Sequence, residues 1–156
     1  ALVNSRKIKS ELSPPILYQL GIIEALFDLL ENTEKKHKIK HQINDNTSGI
    51  KLSEVKSILV YRSIQELINN IIKYAEASLI TIDINKNNLG VDIVIIDDGI
   101  GFDTEKLNNL YHHNEKGSGF GLFTVKERIR NIKGKFTITS EINKGTTVTI
   151  FIPINS

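Results

Sequence analysis

The chain contains no cysteine. Neither a disulfide framework nor a thiolate zinc site is therefore open to it, which fits a protein of the reducing cytoplasm. No apolar run is long enough to span a bilayer, and no signal-peptide pattern is present. Charge of one sign is not in excess either: 20 Lys and Arg against 18 Asp and Glu leave a net charge of +2. That balance gives no reason to expect nucleic acid or direct membrane contact. Internal repeats and low-complexity tracts are also missing. What is left is a chain of 156 residues, 40% apolar, slightly low but globular. It suffices for one ordinary domain with a real core and a short appendage. Because it starts at Ala1 in the middle of a helical pattern, it reads as a piece of a longer protein.

Residues 3–12 are polar and helix-compatible. Ser13-Pro14-Pro15 breaks that pattern, with Ser13 expected as an N-cap and Pro14 at the first helical position. Leu17, Leu20, Ile23, Leu26, Phe27 and Leu30 then recur at helical spacing and predict one amphipathic helix from Ile16 to Leu30. It needs a partner, either the core or another chain. The polar stretch ENTEKKHK at 31–38 separates this arm (1–36) from the main domain (37–156), although a solvated helix end and loop is an equal reading. A short strand is expected at 39–44, a turn at Asn46–Gly49, and a long helix from Ser53, its cap, to about Ala77. LITIDIN (79–85) and VDIVIID (91–97) alternate and are joined by turn residues, as in an antiparallel hairpin. Residues 103–116 have no firm periodicity and are read as a mobile loop. A helix is expected over about 120–132, ended in left-handed fashion by Gly134, and a second hairpin over 135–142 and 146–154. The sum is an α+β fold, a two-layer sandwich with a mixed sheet, helices on one face and an N-terminal helical arm.

Three spaced signatures carry chemistry. In QELINNIIKYA (65–75), Glu66, Asn70 and Lys73 fall within a sector of roughly 60° on a face distinct from that of Ile64, Leu67, Ile68, Ile71 and Ala75. A solvated face would account for Glu66 and Lys73. It accounts less well for Asn69-Asn70, since asparagine in mid-helix competes with the backbone for hydrogen bonds. The functional reading gives the carboxamide oxygen of Asn70 to a Mg²⁺ ion that bridges phosphates. Glu66 would orient or deprotonate a nucleophile, and Lys73 would meet phosphate as a point charge. DDGIG (97–101) ends a buried strand. It is either an ordinary turn or a rigid carboxylate that accepts a hydrogen bond from an exocyclic amine such as adenine N6. In the second case Gly99 and Gly101 let the backbone approach a flat base, with Phe102 anchored beneath. GSGFG (117–121) opens a helix, so it is either a hinge or a backbone cradle for phosphate. It lacks the Gly-Lys-Ser/Thr of a Walker loop and the βαβ setting of a dinucleotide site. Lys116, just before it, is placed to reach a terminal phosphate. His37 and His41 have no acidic third ligand nearby and are not read as a metal site. His112 and His113 belong to the loop.

Together these residues resemble the ATP-binding catalytic domain of sensor histidine kinases, within the superfamily of gyrase, heat-shock chaperone, histidine kinase and MutL (the Bergerat fold). The N box looks like Gln65-Glu66…Asn70…Lys73, the G1 box like Asp97–Gly101 and the G2 box like Gly117–Gly121, with Gly145-Thr146 matching the closing Gly-Thr. The resemblance covers about 40–154. It implies that Asp97 binds adenine helped by Thr146 and that Asn70 ligates Mg²⁺. It further implies that Gly117, Gly119, Gly121 and Leu122 flank the phosphates. LSPPILYQLGIIEAL is similar to the second dimerisation helix of the nitrate-sensor and lipid-fluidity-sensor group, and Tyr61-Arg62…Gln65-Glu66 and the short lid also match that group. Tyr74 stands where many relatives have histidine. The implied parent is a homodimer joined through the arm. Its reaction is transfer of the ATP γ-phosphoryl group to a histidine and then to an aspartate of a response-regulator receiver domain. The first dimerisation helix has no counterpart here, and none of the 4 histidines sits in a phosphoacceptor context. The chain is therefore expected to bind ATP without phosphorylating itself. An anti-sigma-factor serine kinase would share the pocket but leave the Pro-Pro arm unexplained. A degenerate pocket used for docking would not need Glu66, Asn70, Asp97 and the glycines intact.

Overall fold

Isoleucine or valine occupies every second position of three segments, Ile80-Ile82-Ile84, Val91-Ile93-Ile95 and Val148-Ile150-Ile152, and all of these side chains are buried. Alternation of this kind commits one face of a sheet to a core. The intervening Thr81, Asp83, Val94, Ile96, Thr147 and Thr149 are half-buried on the other face. A computed structural model of the chain describes residues 14–106 and 121–154. Its elements are α1 (Pro15–Leu20), α2 (Ile22–His37), β1 (Lys40–Asp45), α3 (Glu54–Asn70), β2 (Leu79–Lys86), β3 (Gly90–Asp97), α4 (Leu122–Asn131), β4 (Lys135–Ser140) and β5 (Thr146–Pro153). One π-helical turn, Ile71–Ala75, continues α3. The five strands form one mixed sheet in the order β1-β2-β3-β5-β4.

Strands β2 and β3 form the first expected hairpin, and β4 and β5 the second. Parallel strands cannot be joined by a tight turn; accordingly β1 and β2 pair in parallel, with α3 between them in the chain. Ser53 caps α3 as expected, its hydroxyl accepting from the Lys56 N–H at 3.2 Å. Such a cap contributes about 1 kcal/mol. The buried residues of all four helices and of the sheet join one apolar cluster, in which Leu17, Ile22, Ala25, Leu26 and Leu30 of the first two helices take part. Among the described residues no helix is long and apolar enough to cross a membrane.

Several details depart from the sequence expectation. The first helix begins at Pro15, not Pro14: a residue before proline is driven from the α region, and Pro14 is extended at ψ 145°. Ser13 lies outside the described residues. The single helix expected over 16–30 is two helices, split at Gly21 with φ 92° and ψ −179°. The split rotates the apolar face, so that Leu26 is fully buried while Leu20 is 64% exposed. The polar stretch after Leu30 is helical as far as His37, where Lys38, left-handed at φ 58°, ends α2. At the end of α4 the left-handed residue is Lys133, φ 61°, rather than Gly134. Gly134 is needed for closeness: a Cβ there would strike the Phe151 carbonyl and lie 2.8 Å from Ile129 Cγ2. Of the expected loop, Asp103 caps a short turn through the Glu105 N–H at 3.0 Å. His112, His113 and Lys116 lie outside the described residues.

Candidate functional site

The inward alternation of β3 and β5 sets the site. Two residues beyond Ile95 on the same face stands Asp97, and two before Val148 stands Thr146; the register places Asp97 opposite Thr146. Both line a cavity of about 280 Å³ between the sheet and the end of α3. Leu67, Asn70, Ile71, Tyr74 and Ala75 form its helical wall, Ile95, Ile138 and Val148 its floor, and Ile100, Gly101, Phe102 and Leu122 its rim. An apolar slot with a few polar groups at its ends suits a flat, partly polar ligand.

Asp97 is 5% exposed. Its Oδ1 accepts from the Gly99 N–H at 2.9 Å. Burial pushes its carboxyl above the usual range, the Gly99 N–H pulls it back, the neighbouring Asp98 charge adds to the rise, and the Thr146 N–H opposes it. The largest effect, desolvation, is what a carboxylate at the closed end of an apolar slot experiences. Ser140 ties the surroundings together: its hydroxyl accepts from the Phe102 N–H at 2.9 Å, donates to the Gly145 carbonyl at 3.0 Å and meets the Thr146 hydroxyl at 2.8 Å.

The glycines of the loop after β3 face the protein's own backbone. A Cβ on Gly99 would strike the Ala75 carbonyl, one on Gly101 the Glu141 carbonyl, and one on Gly145 the Asp97 carbonyl. Gly101 also lines the cavity, whereas Gly99 does not. The helix end and the β4–β5 turn thus clamp this loop from two sides, and the Ile100 carbonyl accepts from the Asn143 N–H at 2.6 Å.

Asn70, Asp97, Gly101, Leu122 and Thr146 meet at the cavity. Glu66 is half-buried, and its carboxylate fills the space that a Cβ on Gly121 would take. Gly121 is left-handed, φ 69°, and precedes α4 with no side-chain cap. Glu66 and Arg62 of α3 also lie within electrostatic range of Arg128 of α4: burial lowers the Arg128 guanidinium, Arg62 lowers it further and Glu66 raises it. Lys73 is exposed and is not part of the cavity wall. Lys116, Gly117 and Gly119 lie outside the described residues. Among the described residues no group of three or more His, Cys, Asp or Glu converges as a metal cage. Asn70, on the cavity wall, offers one hard amide oxygen, a donor type that fits an ion such as Mg²⁺ which keeps most of its water.

Sequence reasoning singled out the polar members and left out most of the apolar ones. Tyr74 could have been found from Asn70, since a residue four positions on shares a helical face. Ile95 and Val148 could have been read by counting back or forward by two from Asp97 and Thr146.

A family model described as histidine kinase-, DNA gyrase B- and HSP90-like ATPase matches residues 55–156. The oxygen sensor histidine kinase NreB of Staphylococcus carnosus is 31% identical over 149 residues, covering 96% of this chain and 41% of NreB. The chain therefore spans less than half the length of that curated relative. Among solved structures, the histidine kinase AdeS of Acinetobacter baumannii superimposes with a TM-score of 0.69 at 19% identity, covering 99% of this chain and 83% of that one. The catalytic domain of histidine kinase ThkA gives 0.70 at 17% identity, with 85% and 90% covered. At those identities the superpositions speak for the fold alone.

Proposed function

The chain belongs to the histidine kinase-, DNA gyrase B- and HSP90-like ATPase family, and on that premise we propose that it is the ATP-binding catalytic domain of a two-component sensor histidine kinase. The observation that carries this reading is Asp97: a buried carboxylate at the end of an apolar slot, with Thr146 opposite and Asn70 on the helical wall. Adenine N6 donates to Asp97, the ring lies on Ile95, Ile138 and Val148, and Tyr74 covers it from the helix. By the likeness to the family's G2 box, Gly117, Gly119, Gly121 and Leu122 flank the phosphates, and Lys73 and Lys116 supply positive charge. Asn70 would hold Mg²⁺, whose charge would offset that of the phosphates. Glu66 takes or orients the proton of the attacking imidazole, and the remaining contribution is positioning.

In the whole protein the arm (1–36) belongs to the dimerisation region and residues 37–156 form the catalytic domain. The γ-phosphoryl group passes to a histidine on the first dimerisation helix and then to an aspartate of a response-regulator receiver domain. The setting is cytoplasmic. Support for this part comes from the likeness to NreB over almost the whole chain.

Calorimetric titration with ATP, in Mg²⁺ and in EDTA, tests the pocket. Binding that is tighter with Mg²⁺ is the expected result; no binding under either condition would overturn the reading. A phosphoacceptor helix supplied in trans, followed by measurement of phosphohistidine, then separates transfer from binding.

A further inference from the structure

The helical wall of the cavity and the loop that bears Asp97 are distant in sequence, yet they are sewn together at three consecutive residues. Asp98 Oδ1 accepts from the Ser78 N–H at 2.7 Å and from the Leu79 N–H at 3.0 Å. Gly99 is packed against Ala75, whose Cβ would lie 2.8 Å from any Cβ built on the glycine. The Ile100 N–H donates to the Ala75 carbonyl at 2.7 Å. Of these three stitches only the first uses a side chain of the loop.

Its location is where the backbone ladder stops. The β2–β3 register ends at Ile80 opposite Asp97, so Leu79 lies one step beyond it. Asp98 supplies what the next pair would have supplied: its own N–H donates to the Leu79 carbonyl at 3.4 Å while its carboxylate accepts from the Leu79 N–H. The segment so held follows directly on the reversal at Glu76, left-handed at φ 52°, where the chain leaves the π-helical turn. Asp98 is exposed and does not line the cavity, so its carboxylate is directed at the backbone and not at a ligand.

We propose that Asp98 is a positioning residue for the nucleotide pocket. By gripping Ser78 and Leu79 it fixes the distance between the wall that carries Tyr74 and Ala75 and the carboxylate of Asp97, so that the slot keeps the width of a planar base. This inference rests on the nucleotide reading given above, but the grip can be tested without it. A carboxylate that accepts two backbone donors makes stronger bonds than a neutral pair, and the carboxamide of asparagine can accept both through its single oxygen.

Asp98→Ala is expected to lose about tenfold or more in ATP affinity by calorimetry, with faster amide hydrogen exchange at Ser78 and Leu79. Asp98→Asn should stay within about threefold of the parent chain and keep both amides protected. If Asp98→Ala does not fold, Asp98→Glu replaces it: the charge is kept but the acceptor is displaced by one methylene, and affinity should again fall. Wild-type affinity in Asp98→Ala, or in Asp98→Glu where that variant has to stand in, would overturn the proposal. So would an Asp98→Asn variant that binds as weakly as Asp98→Ala. If the parent chain itself binds no ATP, the nucleotide reading fails, while the exchange rates of Ser78 and Leu79 still decide the grip.

Discussion

Asp97 occupies a place that disfavours its charge. Its carboxyl is raised above the ordinary value chiefly by burial, so the folded chain holds the proton more tightly than the unfolded chain does. Stability therefore falls as pH rises from the ordinary carboxylate range to the folded value, and above that the cost is constant. Asp97→Asn removes the charge and keeps an oxygen for the Gly99 N–H. At neutral pH the nucleotide-free variant should melt higher than the parent, each kcal/mol of relief appearing as about 2–4 °C. The difference should vanish in acid, below the ordinary carboxylate range, as thermal scans at several pH values would show. ATP affinity should drop by more than about tenfold, since a charged acceptor for the base is lost. A variant that binds ATP like the parent would mean that Asp97 is not the base-binding carboxylate.

At the scale of elements, interruptions are the informative features. Gly21 has φ and ψ that essentially only glycine adopts, although nothing lies within 4 Å of where its Cβ would be. Gly21→Ala should therefore cost about 1–3 kcal/mol in urea unfolding through backbone strain alone, and leave ATP affinity unchanged because the residue is remote from the slot. The strands and both hairpins were legible in the sequence because period-two alternation and turn residues are local signals. The split at Gly21 was not, since apolar residues continue at helical spacing on both sides of it and only the rotation of Leu20 to the surface betrays it. The π-helical turn was equally hidden: its end is bonded to Ile100, a residue far along the chain. In the site, Asn70, Asp97 and Thr146 could be named from spacing and resemblance. The reason for Gly99 could not. A sequence tells that a side chain is unwelcome, but not that the neighbour is Ala75 rather than a base.

For the whole molecule, the helices before β1 share one core with the sheet. Leu26→Ala, at a side chain with no exposure, should cost about 2–5 kcal/mol and lower a single unfolding transition that includes the nucleotide slot. ATP at a hundred times its Kd should restore about 2.7 kcal/mol of this. Two separate transitions, with only the smaller one moved, would show the arm to be independent. Sheet order has a further consequence. β5, the last of the described strands, lies inside the sheet between β3 and β4. During synthesis, the strands that emerge before it leave a gap in the middle, and β4, at the sheet's edge among the described strands, waits for β5 to pair with. Non-local pairings of this kind form late. Asp97 meets Thr146 only when that final strand is threaded home, so a ribosome-bound chain still short of β5 has no slot to offer a nucleotide.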